Sequence, residues 1–315
     1  MLEPEIEAFV ARVAAWYPDD VAARPIAEQR ARYERFAAAW TLALPADVDT
    51  TDARFVAPDG RTIGLRRYRS RRSDARGTVL FFHGGGFVVG SLDSHALVTA
   101  RIAADTGLDV IAVDYRLAPE HPAPAAFDDC LEVAVAALDG RLPFDSIALP
   151  LRLAGDSAGG MLAASVVAAL RDGGSGGGGG AGGGVCAVAL VYPMLGFEPQ
   201  SPARETEAHA PMLTLADVHT YRRLYWGDAG PPHGTVPLDA NGFDRLPPVL
   251  AVGAGHDPLR DDARVYVERV RSAGGTARFW LGDGLVHGCW RALDTSPQAA
   301  RMHRIVCDFL LEPGE

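Results

Sequence analysis

Residues 155–159 read Gly-Asp-Ser-Ala-Gly, and this pentapeptide constrains the fold more than any other part of the chain. The mostly apolar residues 151–154 precede it and the apolar stretch 161–170 follows it, which predicts a strand, a sharp turn and a helix. A serine at the apex of such a turn is strained, and the residues two before and two after it must be small. Both are glycine here, so Ser157 is a candidate nucleophile, although a glycine-rich bend with an incidental serine gives the same pattern.

A second glycine-rich segment supports a catalytic interpretation of this serine. Residues 83–87 read His-Gly-Gly-Gly-Phe and follow the strand-like residues 78–82. Three successive glycines leave backbone N–H groups unobstructed, as donors to a developing oxyanion require. A phosphate-binding loop is the alternative, but its G-x-x-x-x-G-K-[ST] spacing is missing and the chain contains no lysine. The missing lysine also excludes a pyridoxal Schiff base and a serine–lysine hydrolase.

An acid and a base are expected after the serine, in that order. The apolar pattern 249–253 predicts a buried strand, and Asp257 follows its carboxyl end, where functional loops of open α/β sheets gather. The next strand pattern, 277–281, is followed by a loop that carries His287. The sequence therefore predicts Asp257 as the orienting acid and His287 as the general base.

Other acids and histidines are weaker candidates for these roles. Asp261 and Asp262 are predicted in the first turn of the following helix, where the helix dipole favours carboxylates. His256 adjoins the acid, but consecutive residues of a strand end point to opposite faces, so it is expected to face away. The other histidines lack the required strand context and chain order: His83, His95, His121, His209, His219, His233 and His303.

Five segments together carry a family resemblance. They are 83–87, the run Asp-Tyr-Arg-Leu-Ala-Pro-Glu-His-Pro-Ala-Pro at 114–124, and the segments 155–160, 257–261 and 287–288. In this order they resemble the hormone-sensitive-lipase-like carboxylesterases of the α/β-hydrolase superfamily. The resemblance implies a nucleophile, an acid and a base at Ser157, Asp257 and His287, and oxyanion donors at the N–H groups of Gly85, Gly86 and Ala158. One departure is Cys289, where the family usually has an aromatic or apolar residue.

The predicted fold class is α/β, an α/β-hydrolase fold with a mostly parallel eight-stranded sheet, helices on both faces and a helical cap. Residues 1–45 show an amphipathic helical pattern, and the family resemblance implies that they form part of a cap. A cap insertion is predicted at 196–240, between core segments 46–195 and 241–315. The glycine-rich residues 173–184 have almost no side chains to pack, so we interpret them as a linker.

Composition excludes several classes of partner. The formal net charge of −10 argues against nucleic-acid binding, and we interpret the one basic cluster, at 66–72, as a solvated edge. A membrane span requires a run of about 18 apolar residues, and the sequence contains no such run. The N-terminus lacks the features of a signal peptide, and four widely spaced cysteines are expected to be free thiols, which together predict a cytoplasmic location. No metal-ligand motif is present, and we expect no cofactor.

The chemistry that these residues predict is hydrolysis through an acyl-enzyme. The resemblance suggests small-molecule esters of short to medium acyl chains as substrates. A lactone, carbamate or amide hydrolase would use the same residues, and a non-catalytic binding protein on this fold is the remaining alternative. The presence of Ser157, Asp257 and His287 counts against the latter. The sequence leaves open whether the protein is a monomer or a homodimer.

Overall fold

One twisted sheet of eight strands organises the molecule. The structure is a computed structural model and describes residues 1–16, 24–41, 43–72, 74–173, 184–232, 235–240 and 242–313. In chain order the strands are β1 (Val48–Val56), β2 (Thr62–Ser70), β3 (Thr78–Phe82), β4 (Asp109–Asp114), β5 (Leu151–Asp156), β6 (Val185–Val191), β7 (Val249–His256) and β8 (Ala277–Val286).

The strands lie side by side in the order β1-β2-β4-β3-β5-β6-β7-β8. β1 pairs with β2, and β2 with β4, in antiparallel fashion. From β4 to β8 all pairs are parallel. Because parallel strands place their carboxyl ends at the same edge of a sheet, the loops after β3, β5, β7 and β8 meet there.

Helices cover both faces of this sheet. The α-helices are α1 (Pro4–Ala14), α2 (Ile26–Trp40), α3 (Ala96–Thr106), α4 (Ala125–Leu138), α5 (Ala158–Gly173), α6 (Ala203–Thr206), α7 (Leu215–Trp226), α8 (Arg260–Ser272) and α9 (Pro297–Leu311). The buried faces of α4, α5 and α8 pack on one side of the sheet, and those of α1, α3 and α9 pack on the other. Both faces of the sheet are apolar because successive side chains of a strand point to opposite faces. In β3, Leu80 and Phe82 belong to the first core, and Val79 and Phe81 belong to the second.

The predicted fold class is confirmed, with a mostly parallel sheet of eight strands between two helical layers. Asp261 and Asp262 lie in the first turn of α8, as expected. Most of the predicted glycine-rich linker, residues 174–183, lies outside the described residues. In the described part of the chain, none of the helices combines the length and apolarity that crossing a bilayer requires.

The interpretation of residues 66–72 as a solvated edge was wrong for residues 66–70, whereas Arg71 and Arg72 are exposed. β2, which contains most of them, lies between β1 and β4, and Arg67, Tyr68 and Ser70 are buried. The arginines beside them are matched by carboxylates, Arg66 by Asp52 and Asp93 and Arg69 by Asp109. A local cluster of positive charge does not predict this result, because the compensating acids lie on other elements.

Candidate active site

Ser157 occupies the sharp turn between β5 and α5. Its φ of 54° lies in the left-handed region, which costs energy for a residue with a side chain. The turn is held because Ser157 N–H donates to Val191 O at 2.9 Å, and its own carbonyl accepts from Met161 N–H. Gly159 passes so close to β3 that a Cβ there would overlap the carbonyl oxygen of Phe82. The small residues that the sequence pattern requires are therefore explained by this close approach.

The structure brings the three predicted catalytic side chains together. His287 Nε2 lies 2.8 Å from Ser157 Oγ, and His287 Nδ1 lies 2.7 Å from Asp257 Oδ2. Asp257 is fully buried and its other oxygen accepts the Leu259 N–H at 2.8 Å. A hydrogen on Nδ1, donated to the carboxylate, leaves the lone pair of Nε2 directed at the serine hydroxyl. The arrangement can therefore remove the proton of Ser157 while Asp257 orients the ring.

The loop that follows β3, residues 83–87, borders the serine and is termed the oxyanion loop below. Gly85, Gly86 and Phe87 have φ angles of 121°, 61° and 64°, so three successive residues turn their backbone through the left-handed region. Tyr115 donates its hydroxyl to His83 O at 2.6 Å and holds the start of the loop. Within the loop, the carbonyl of Gly85 accepts N–H groups from the following turn.

Helix α7 packs directly on this loop. Phe87 stacks on Tyr225 with ring centroids 3.8 Å apart and planes 11° apart, and its ring edge meets Trp226. Tyr221, one turn earlier on the same helix, lies against Gly86. The predicted cap insertion thus contacts the loop that carries the expected oxyanion donors Gly85 and Gly86. The third expected donor, Ala158, is the first residue of α5, where N–H groups lack partners within the helix.

A buried polar cluster beneath the serine was missed at the level of sequence. Asp156 accepts the Gly84 N–H at 2.9 Å and lies 3.4 Å from His95 Nε2. Arg291 is buried nearby and donates to Ser94 O and, at 2.9 Å, to Tyr33 Oη. Burial opposes ionisation of Asp156, but His95, Arg291 and the Gly84 N–H outweigh it and hold its pKa below the ordinary value.

The remaining predicted residues lie outside the group formed by Ser157, His287 and Asp257. His256 faces Glu207, with Nδ1 3.3 Å from its carboxylate, in agreement with the expectation that it faces away. Asp262 accepts three backbone N–H groups, those of Leu195, Gly196 and Gln200, and Asp261 accepts that of Ala203. These two carboxylates therefore fasten the start of the predicted cap insertion to the helix that follows Asp257.

One group in the described part of the chain has the composition of a metal site. Potential ligand atoms of Asp105, His303 and Cys307 lie within 4.8 Å of one another. However, Trp290 Nε1–H donates to His303 Nδ1 at 3.0 Å, so the ring proton is on Nε2, which faces Asp105 at 2.9 Å. A metal ion on Nε2 would require the ring proton to move to Nδ1. Nδ1 faces the Trp290 N–H, which is a donor, so no acceptor is there for that proton. The cluster fits a hydrogen-bonded core better than a ligand set.

Comparisons with known proteins agree with this geometry. A family model described as the alpha/beta hydrolase fold matches residues 79–291. Carboxylic ester hydrolase LipN of Mycobacterium tuberculosis is 35% identical over 246 residues, which cover 76% of this chain and 64% of that protein. Ethyl acetate hydrolase of Pseudomonas putida is 30% identical over 254 residues, 76% of either chain. The chain thus matches just under two thirds of the length of LipN.

A solved structure of similar shape extends the comparison to the whole chain. The monoclinic form of the Pyrobaculum calidifontis esterase superposes with a TM-score of 0.86 at 27% sequence identity. The superposition covers 99% of this chain and 98% of that one. The likeness therefore includes the N-terminal helices, which precede the span of the family model, and the 196–240 segment, which lies within it.

Proposed function

The chain belongs to the family with the α/β-hydrolase fold, as its motifs suggested, and on this premise we propose that it is a serine carboxylesterase with Ser157, His287 and Asp257 as its triad. The observation that carries the proposal is the pair of contacts made by His287, 2.8 Å to Ser157 Oγ and 2.7 Å to Asp257 Oδ2. The relatives named carboxylic ester hydrolase and ethyl acetate hydrolase support the choice of an ester.

The proposed reaction begins when Ser157 Oγ attacks the carbonyl carbon of the ester. The hydroxyl proton passes to His287 Nε2, and Asp257 stabilises the resulting imidazolium through Nδ1. The carbonyl oxygen becomes an oxyanion, for which we propose the N–H groups of Gly85, Gly86 and Ala158 as donors. His287 then gives its proton to the leaving alcohol. Water repeats the sequence on the acyl-enzyme and releases the acid.

We assign the choice of substrate to two segments that would act as a cap, residues 1–45 and 196–240. The contacts of α7 with Gly86 and Phe87 support this assignment, because they place an aromatic helix face beside the oxyanion loop. From α2, Arg30 donates to Val88 O and Ala118 O and forms a two-pronged ion pair with Glu120. Such a covered site favours esters with short to medium acyl chains.

We also propose that the protein works in a reducing compartment such as the cytoplasm. The four cysteines are free thiols, and Cys130, Cys289 and Cys307 are buried. Burial raises the pKa of each of these three thiols above the ordinary value, which keeps them protonated and unreactive. These thiols play no part in the proposed chemistry.

The proposal is tested with p-nitrophenyl esters from acetate to decanoate and the variant Ser157→Ala. We expect a burst of p-nitrophenol, then steady turnover that is fastest for the shorter chains, and no burst in the variant. Ser165→Ala is the matched control, because Ser165 lies on the same helix α5 and its hydroxyl has no partner among the described residues. Equal turnover by Ser157→Ala and the wild type would refute the proposal.

A further inference from the structure

The residue before the nucleophile has a function of its own. We propose that Asp156 is a positioning residue, whose carboxylate fixes the oxyanion loop to the turn that carries Ser157. The inference rests on the proposed function and deepens it, because it names a group that sets the transition-state geometry without touching substrate. Asp156 is 7% exposed; its Oδ1 accepts the Gly84 N–H and faces His95 Nε2, and its Oδ2 lies beside Gly84.

The hydrogen bond between Asp156 and Gly84 is well placed to hold the oxyanion loop against the turn that carries Ser157. Asp156 Oδ1 accepts the Gly84 N–H at 2.9 Å, so the bond joins a point one residue from Ser157 to a point one residue from Gly85. Asp156 Oδ2 fills the space beside Gly84, where a Cβ would be only 2.5 Å away. The nucleophile and the proposed oxyanion donors are therefore fastened to each other by one side chain.

A chain of buried polar groups keeps this carboxylate ionised and in place. His95 Nε2 lies 3.4 Å from Asp156 Oδ1, and the neighbouring Ser94 carbonyl accepts from Arg291. Arg291 belongs to the short helical turn Cys289–Ala292, which follows His287 in the chain. One buried polar cluster thus joins the loop of the general base, the turn that carries Ser157 and the oxyanion loop. Because a hydrogen bond to an ionised acceptor is about twice as strong as a neutral one, the charge strengthens the bond to Gly84.

The expected consequence is specific to the transition state. Oxyanion donors act only when aimed within a few tenths of an ångström at the developing charge, and losing one costs roughly 10²- to 10³-fold in kcat. The hydrogen bond between Ser157 and His287 involves other atoms and survives the loss of Asp156. Weaker alignment of the donors therefore lowers kcat while KM changes little.

The experiment compares Asp156→Ala, which removes the acceptor, with Asp156→Asn, which keeps an oxygen for the Gly84 N–H but loses the charge. Rates are normalised to the fraction of sites that an organophosphate labels, and folding is followed by thermal unfolding. We expect kcat to fall about 100-fold in Asp156→Ala and about tenfold in Asp156→Asn, with KM within about twofold. Affinity for a trifluoromethyl ketone, which Ser157 converts to a tetrahedral oxyanion, falls in parallel with kcat.

The matched control is Asp109→Asn. Asp109 is also buried and accepts from Arg69 at 2.8 Å, but it lies at the start of β4, at the opposite edge of the sheet. We expect it to lower stability and leave normalised kcat unchanged. The inference is overturned if both Asp156 variants keep the wild-type kcat and ketone affinity per labelled site, or if both quantities fall equally in Asp109→Asn. Absence of labelling and turnover in the wild type would instead refute the proposed function.

Discussion

The aromatic ring of Tyr221 lies so close to Gly86 that a Cβ at Gly86 would overlap it. Tyr221 belongs to α7, in the segment inserted between β6 and β7, whereas Gly86 belongs to the loop after β3. Two parts of the chain that are far apart in sequence therefore meet at the oxyanion loop. The contact links the segment to which we assign substrate choice with the loop to which we assign oxyanion stabilisation.

This contact predicts a large effect of Gly86→Ala. The added Cβ would push Tyr221 away or displace the loop, and we expect kcat/KM for p-nitrophenyl butyrate to fall by at least about 100-fold. Gly140→Ala is the matched control, because Gly140 has nearly the same φ, 66° against 61°, and a Cβ there meets no atom within 4 Å. Both variants therefore place an alanine at nearly the same positive φ. Equal loss of activity in the two would show that strain, not the contact with Tyr221, is responsible.

The identity of the acid can be tested by exchanging carboxylates for amides. Asp257→Asn would favour the wrong tautomer of His287, and we expect kcat to fall by about 10⁴-fold with little change in stability. Asp261→Asn removes a carboxylate four residues away that accepts from Ala203 N–H, and we expect kcat within about threefold of the wild type. Steady-state kinetics of the two variants at neutral pH check this prediction. A larger loss of kcat in Asp261→Asn would reassign the acid.

The main elements of the fold could be predicted because they depend on local patterns. Buried parallel strands are short apolar runs, so the strands expected at 78–82, 249–253 and 277–281 begin at the same residues as β3, β7 and β8, and the apolar stretch 161–170 lies within α5. The position of β2 could not be predicted in the same way. Its arginines predict a solvated edge, but the sheet order depends on how β1 and β4 pair with it. Pairing is a long-range property that composition does not encode.

The predicted catalytic residues follow motif spacing, whereas the cluster around Asp156 does not. Gly84, His95 and Arg291 approach Asp156 from three other segments of the chain, and no motif spacing predicts that any of them contacts Asp156. The hydrogen-bond partners of Asp262 could not be predicted from motif spacing either. Its place at the start of α8 was predicted from the helix dipole, but its three N–H partners come from residues 195–200.

The buried Asp262 predicts a pH-dependent stability. Burial raises its pKa to about 7, against the opposing effect of its three N–H partners. Because the folded pKa lies above the unfolded one, the stability contribution of Asp262 is complete below about pH 4 and is lost as the pH rises through about 7. The loss is at most about 4 kcal/mol, from the 1.36 kcal/mol that corresponds to each pKa unit.

The measurement is the free energy of unfolding in urea at several pH values between 4.5 and 8, for the wild type and Asp262→Asn. The variant replaces one of the two acceptor oxygens of Asp262 by an NH2 group, which cannot accept from the N–H groups that face it, and is expected to be less stable at pH 4.5. Only the wild type loses the contribution of Asp262 as the pH rises. The difference between the free energies of unfolding of the wild type and the variant should therefore narrow. A difference that widens with pH would mean that the three N–H bonds dominate and lower the pKa instead.

The central claim, that Ser157 is an activated nucleophile, is tested most directly by labelling with diethyl p-nitrophenyl phosphate and intact-mass spectrometry. We predict one diethylphosphoryl group per chain, located on Ser157 by peptide mapping, with loss of esterase activity in proportion to labelling. Ser157→Ala should remain unlabelled under the same conditions. A wild-type protein that hydrolyses esters but carries no adduct on Ser157, or carries it on another residue, would contradict the account.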